Sequence, residues 1–491
     1  MGNKMRILAS LLFAAALFAS CGGGNPETPM KSGTENETDE SGGLADARIS
    51  DDLPAVDYGG YEYRILTQGA GADDTSWIDF MADESRSGEV LNDAVYARNL
   101  EVEERFNITI KLTMETYENM PSSIKKSIAS GQDEWDLFMV QMVQGGAMAL
   151  NGDFLPVNAL ANVDLGKPWW DNQINKSYVI GKNVMFANGA ISPMSYLCTS
   201  AVLFNKNLFG NYGIDYPYDE VKAGKWTFDG MRQTIKGAAQ DLNSDGKLTP
   251  DSDFFGFLAF CNDTPYSFYY GAGGMIVEHD FENMPYLTDD LNKATTIAEK
   301  LFDIIWGGDS FYQATGTADG LRDMLVAFNG GRSLFTSILF DHIKRYLAEM
   351  ENDYGVLPIP KLDEAQPNYL SFVNGASPMV AIPRTVGETD RTGIVLEALA
   401  SSSYYRVKPV LYDNILKVRT ARDEDSEEMI DIIFADRVFD MGYSYMLPGY
   451  GAFMRELMDK KSVNVASTWE KNETSAKRQL DKIVDSYQQN N

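Results

Sequence analysis

Cysteine and histidine are scarce, with three and two respectively among 491 residues. Nothing in the cysteine spacing forms a metal site through sulfur. Neither His279 nor His342 lies in a context that suggests the base of a nucleophile, so both read as solvated or hydrogen-bonded structural residues. Basic residues are in deficit too: 42 Lys and Arg against 71 Asp and Glu leave a formal net charge of -29. Phosphate backbones and anionic membranes repel such a chain unless its cations cluster, and no basic run with interleaved aromatics occurs. Nucleic acid is therefore not an expected partner, and neutral ligands are favoured. There is no G-x-S-x-G, no H-E-x-x-H, no P-loop and no G-x-G-x-x-G after a strand. No repeat of about 20 to 50 residues points to a solenoid or propeller. Beyond the N-terminal segment, no run is long and apolar enough for a transmembrane helix.

What is present begins at the N-terminus. Lys4 and Arg6 precede an uncharged apolar stretch, 7–18, and the small residues Ala19 and Ser20 precede Cys21. This order resembles the lipobox of bacterial lipoproteins, which implies a signal peptide over 1–20 and a diacylated Cys21 as the mature N-terminus. Phe18 departs from the pattern, where Leu is usual, and Leu17 sits one place early. The alternative is an ordinary secretory signal with a chance cysteine. Residues 21–57 are rich in Gly, Ser, Thr, Glu and Asp and read as a flexible tether, because they cannot repay ordering entropy by burial. The expected location is the outer face of the cytoplasmic membrane, held by the lipid alone, with a folded domain over 58–491.

Within that domain, YEYRIL at 61–66 and NITIKL at 107–112 read as strands separated by a helix over 87–106. Helical spacing follows over Met120–Ser130. The short apolar run DLFMV, 136–140, suits a parallel strand buried on both faces. Further helices are expected at 295–306, 318–329, 426–443 and 470–487, and strands at 332–339 and 354–359. The alternation indicates an α/β fold. For Cys198 and Cys261, two buried thiols are the preferred reading over a disulfide.

Several segments, in order, resemble the extracellular solute-binding proteins of the maltose-binding type. They are the loop near Gln68, EWDLFMVQMVQGGAMALNGDFLPV, NVMFANGAIS, SYLCTSAVLFNKNLFGNYGID, GKWTFDGMRQTIKGAA with Thr227 as N-cap, NDYGVLPIPK and SFVNGASPMVAIP. The resemblance covers most of the mature chain. It implies a two-lobed type II periplasmic-binding-protein-like fold with the ligand cleft between hinged lobes. Lobe one would take roughly 58–160 and 371–420, and lobe two roughly 161–370 with the C-terminal helices. It also implies capture of a carbohydrate, an oligosaccharide, by a monomer that hands it to the permease subunits of an ABC importer.

A sugar site needs aromatic platforms beside planar carboxylates or amides. Trp169 and Trp170, followed by Asp171, Asn172 and Gln173, concentrate both, with a core tryptophan pair as the competing reading. Tyr196 and Tyr270 are further ligand candidates, each of which could equally pack in the core. Gln141 joins them because it ends a buried strand, where α/β sheets bind ligands. Asp341, after RSLFTSILF, is placed like the segment that lines the cleft in the resembled family, although the residue match is poor. Trp226 reads as a hydrophobic staple at a helix start. Asp241, Asn243, Asp245 and Gly246 reproduce the opening of an EF-hand loop, with the Lys247 carbonyl as a further ligand. Ser252 stands at the twelfth position instead of Glu, so Asp251 or Asp253 would close the shell around a structural Ca2+; a plain Asx-rich turn is the alternative. Two other functions share these features: a secreted glycosidase or lyase, and a lipoprotein that senses ligand for a histidine kinase.

Overall fold

The computed structural model describes residues 48–69, 76–81, 88–347, 350–417 and 423–488. Cys21, the signal peptide and most of the tether lie outside the described residues. In chain order the strands are β1 (Tyr61–Gln68), β2 (Ile108–Glu115), β3 (Leu137–Gln141), β4 (Phe154–Leu155), β5 (Val179–Ile180), β6 (Asn183–Val184), β7 (Ser200–Asn205) and β8 (Phe255–Phe260). They continue as β9 (Val277–His279), β10 (Pro285–Leu287), β11 (Ser310–Gln313), β12 (Ser333–Leu339), β13 (Tyr354–Leu357), β14 (Ser371–Phe372), β15 (Pro378–Pro383) and β16 (Arg437–Val438).

Two five-stranded sheets organise the chain from Ser50 onward, which forms one compact unit. The first has the order β2-β1-β3-β15-β4 and the second β11-β8-β12-β7-β13. β1 pairs in parallel with both β2 and β3, while β15 runs antiparallel to β3 and β4. In the second sheet β8, β11 and β12 are parallel, and β7 runs antiparallel to β12. Every residue of β7, β8 and β12 is buried, which is why they read as unbroken apolar runs and not as alternating ones. The first sheet draws its strands from before residue 156 and again from 378–383; the second lies wholly within 200–357.

The helix over Met120–Ser130 has the bounds its spacing predicts, and Thr227 caps Phe228–Ile235 by accepting from Gly230 N. Trp226 is fully buried, with its indole N–H donating to Pro358 O at 2.9 Å. The helix expected over 426–443 is broken. It runs Glu424–Ala435, after which Arg437 and Val438 pair with Ser371 and Phe372 of β14, so tertiary pairing overrides local helical preference. The stretch read as tether through residue 57 is docked from Asp51 onward. Arg105 donates to the Asp51 carboxylate at 2.9 Å, and Leu53 and Val56 pack against the first lobe's core. Cys198 and Cys261 are both buried free thiols, as preferred above. Among the described residues no helix is long and apolar enough to cross a membrane.

Candidate ligand-binding site

In parallel sheets the backbone and side chains just beyond the C-terminal strand ends converge on open space, and ligands bind there. β8 ends at Phe260 and delivers Asn262 and Asp263; β12 ends at Leu339 and delivers Asp341 and His342. With Cys198, Arg345 and Asn374, these residues line a cavity of about 270 Å³. Asp341, a candidate from the sequence, lines this cavity just beyond the end of β12.

Asp263 dominates the chemistry of this cavity. It is 3% exposed, and its Oδ1 accepts from Asn374 Nδ2 at 3.0 Å. Its Oδ2 has no hydrogen-bond partner. The nearby His342 Nδ1, at 3.9 Å, is itself an acceptor, taking the Leu339 N–H at 3.2 Å. Burial, with Arg345 adding repulsion, lowers His342 to about 3, so its ring is neutral and that nitrogen has no proton to give. Burial also pushes the Asp263 carboxyl up to about 7. Asp341 is ion-paired with Arg345 at 2.6 Å, which matches the one strong cation in the cavity wall. The buried hydroxyls of Thr199 and Ser267, which do not line this cavity, also lack partners. An unsatisfied buried acceptor costs about 1–3 kcal/mol, so Asp263 Oδ2 is a polar atom of the cavity wall that a bound donor would satisfy. Across the molecule, β1 ends at Gln68, whose buried Oε1 is also unpartnered, and Gln141 ends β3 half-buried at the start of the helix Met142–Ala149.

The aromatic candidates divide. Trp169 and Trp170 donate their indole N–H groups to the two oxygens of Glu397, at 2.9 and 3.0 Å. Trp169 is 1% exposed and belongs to the first lobe's core, which overturns its reading as a sugar platform: a ring closed in on both faces has none to offer. Tyr270 is corrected in the same way. It is buried and stacked on Phe372 with centroids 4.9 Å apart and planes 9° from parallel. Trp170, Asp171 and Tyr196 do come together, but around a different cavity of about 480 Å³ that also includes Lys408, Tyr412 and Arg437.

The acidic loop is stitched by its own side chains. Asp241 Oδ2 accepts from Gly246 N at 2.9 Å, Asn243 Oδ1 from Asp245 N at 2.9 Å and Asp245 Oδ1 from Lys247 N at 2.8 Å. Asp253 turns inward: its carboxylate accepts from Leu242 N and Thr249 N, and the Thr249 amide leads in holding it below the usual carboxylate range. Asp251 remains exposed. Among the described residues, no three His, Cys, Asp or Glu side chains gather to hold a metal ion by themselves. The EF-hand pattern of the loop would instead mix Asp, Asn and carbonyl oxygens.

Sequence reasoning missed Asp263, Glu397, Lys408 and Arg437. Only Asp263 carried a usable signal: a polar Asn-Asp pair directly after the apolar strand FGFLAF, the same rule that selected Gln141.

No protein-family model matches the chain, and no curated protein matches it. Solved structures share its fold. The cyclic alpha-maltosyl-1,6-maltose binding protein of Arthrobacter globiformis superposes with a TM-score of 0.56 at 11% identity, over 87% of this chain and 99% of that one. UspC of M. tuberculosis gives 0.53 at 14% identity, over 84% and 99%. An ABC transporter solute-binding protein of Agrobacterium radiobacter, in complex with ribitol, gives 0.53 at 12% identity, over 86% and 99%. The chain therefore has the two-lobed α/β architecture of solute-binding proteins, the type II arrangement. Its resemblance to the maltose-binding type holds at the level of fold.

Proposed function

We propose that this protein is an exported, lipid-anchored binding protein that captures a neutral carbohydrate, an oligosaccharide, and delivers it as a monomer to the permease of an ABC importer. The observation that carries this reading is the buried, unpartnered Oδ2 of Asp263 at the C-terminal edge of the second sheet. Sugar hydroxyls both donate and accept, so one hydroxyl satisfies Asp263 Oδ2 while a neighbouring one reaches Asn262 in the same wall. The Asp341–Arg345 pair leaves no uncompensated cation to select an anionic ligand. Two of the solved neighbours named above are binding proteins by name, one for a cyclic maltosyl sugar and one in complex with ribitol. That agrees with capture in preference to a glycosidase or lyase. Diacylation of Cys21 supplies the anchor, and the loop of Asp241, Asn243, Asp245, the Lys247 carbonyl and Asp251 takes a structural Ca2+, with Asp253 bracing it from within.

The test is isothermal titration calorimetry of the full chain against neutral mono- and oligosaccharides, followed by product analysis. Saturable binding of an oligosaccharide, recovered intact and weakened by Asp263→Asn, is the expected result. Consumption of the sugar would hand the function to the enzyme reading.

A further inference from the structure

The cavity around Trp170, Asp171 and Tyr196 is separate from the one around Asp263. Met194 on the short helix Pro193–Leu197 and Cys198, which caps its end, line the Asp263 cavity, whereas Tyr196, about half a turn from Met194, lines the other. Its walls come from the end of the helix Thr389–Pro409, from Glu424–Ala435 and from the loop before Asn172–Ser177. At about 480 Å³ it falls within the roughly 300–1,000 Å³ usual for small-molecule sites.

Its charges are unevenly matched. Arg437 is buried and fully engaged: it donates to Ser195 O at 3.1 Å, to Ser195 Oγ at 3.3 Å and to the Asp171 carboxylate, with its guanidinium over the Tyr196 ring. Asp431 accepts from the Tyr412 hydroxyl at 2.5 Å. Lys408 has neither a hydrogen bond nor an ion pair to any described residue. The residue is half-buried, with its ammonium 5.9 Å from the Tyr196 ring centroid and 5.0 Å from that of Tyr404. Lysine side chains ordinarily reach water or a carboxylate, because a desolvated ammonium is costly. Burial, then the nearby Arg437, lower the Lys408 pKa, and the charge of Asp171 across the cavity offsets them only in part.

We propose that this cavity is a second ligand site, for a sugar acid whose carboxylate pairs with Lys408 and whose ring packs against Tyr196 and Tyr412. The aromatic walls take the C–H face of the ring, and Asp171 and Asn172 at the rim meet its hydroxyls. A neutral sugar leaves Lys408 unpaired and is rejected. This selectivity is the reverse of that at the Asp263 cavity, so the two sites take different members of one chemical class.

The experiment is calorimetric titration of the full chain with glucuronate and with glucose, for the wild type, Lys408→Gln, Lys408→Arg and Asp263→Asn. The expected result is saturable glucuronate binding that falls at least about tenfold in Lys408→Gln, survives in Lys408→Arg and is unchanged in Asp263→Asn. Circular dichroism confirms that each variant is folded, and Lys408→Arg carries the charge test if Lys408→Gln is not. Absence of glucuronate binding overturns the proposal, as does equal binding by Lys408→Gln. Loss confined to Asp263→Asn overturns it too, by moving the anion to the other cavity, while leaving carbohydrate capture there intact.

Discussion

Asp263 and Glu397 are both buried carboxyl groups, and burial pushes both up to about 7, yet their oxygens are satisfied to different degrees. Glu397 has a donor for each oxygen, the two indoles of Trp169 and Trp170, and the Asp164 N–H adds a third contact at 3.4 Å. Asp263 has one oxygen held by Asn374 and one left over. Desolvation alone therefore does not distinguish a structural carboxyl from a binding one. The unfilled acceptor does, because a fully satisfied group has nothing left to offer a ligand.

The strongest way to break this comparison is Glu397→Ala. It strands two buried indole N–H groups at about 1–3 kcal/mol each, so urea denaturation should show a loss of about 2–6 kcal/mol with sugar binding retained in the folded fraction. A loss below about 1 kcal/mol would mean that the clamp is not structural. Asp263→Asn should do the converse, lowering carbohydrate affinity about 10- to 100-fold by calorimetry without lowering the unfolding temperature at pH 8.

Titration sharpens the contrast further. The folded protein favours the protonated Asp263 carboxyl, so its contribution to stability is complete below the ordinary carboxylate range and is lost as pH rises through about 7. The unfolding temperature of Asp263→Asn minus that of wild type should accordingly be near zero at pH 4 and positive above pH 7. His342 runs the other way, favouring its neutral form and losing stability as pH falls below about 6.5, but it contributes equally to both proteins and cancels in the difference. The smallest effect concerns the acidic loop: Ca2+ in large excess should raise the wild-type unfolding temperature by about 2–4 °C and leave Asp245→Ala unmoved.

The fold was legible because its signals are local. YEYRIL and DLFMV become strands for the reason their composition suggests, and the helix Met120–Ser130 is bounded by its own spacing and by Gly131 in the left-handed region. Trp169 misled because a tryptophan close to Asp171 looks the same whether its indole meets a sugar or a carboxylate 228 residues away. Glu397 itself sits inside a long helix with nothing nearby in sequence to mark it. Arg437 was assigned to a helix, and only its pairing beside β14 turns it toward Asp171. Such partnerships across the chain leave no local pattern to read.

The position of β15 has a consequence for how the molecule comes into being. During synthesis all five strands of the second sheet have been made by residue 357, and they can pair while the first sheet is still missing the strand that joins β3 to β4. Until residue 383 is reached, β3 keeps one edge open along Phe138–Gln141, the segment that later pairs with 378–381. The lobe begun first is thus the lobe finished last, and its open edge is the part of the nascent chain most exposed to mispairing.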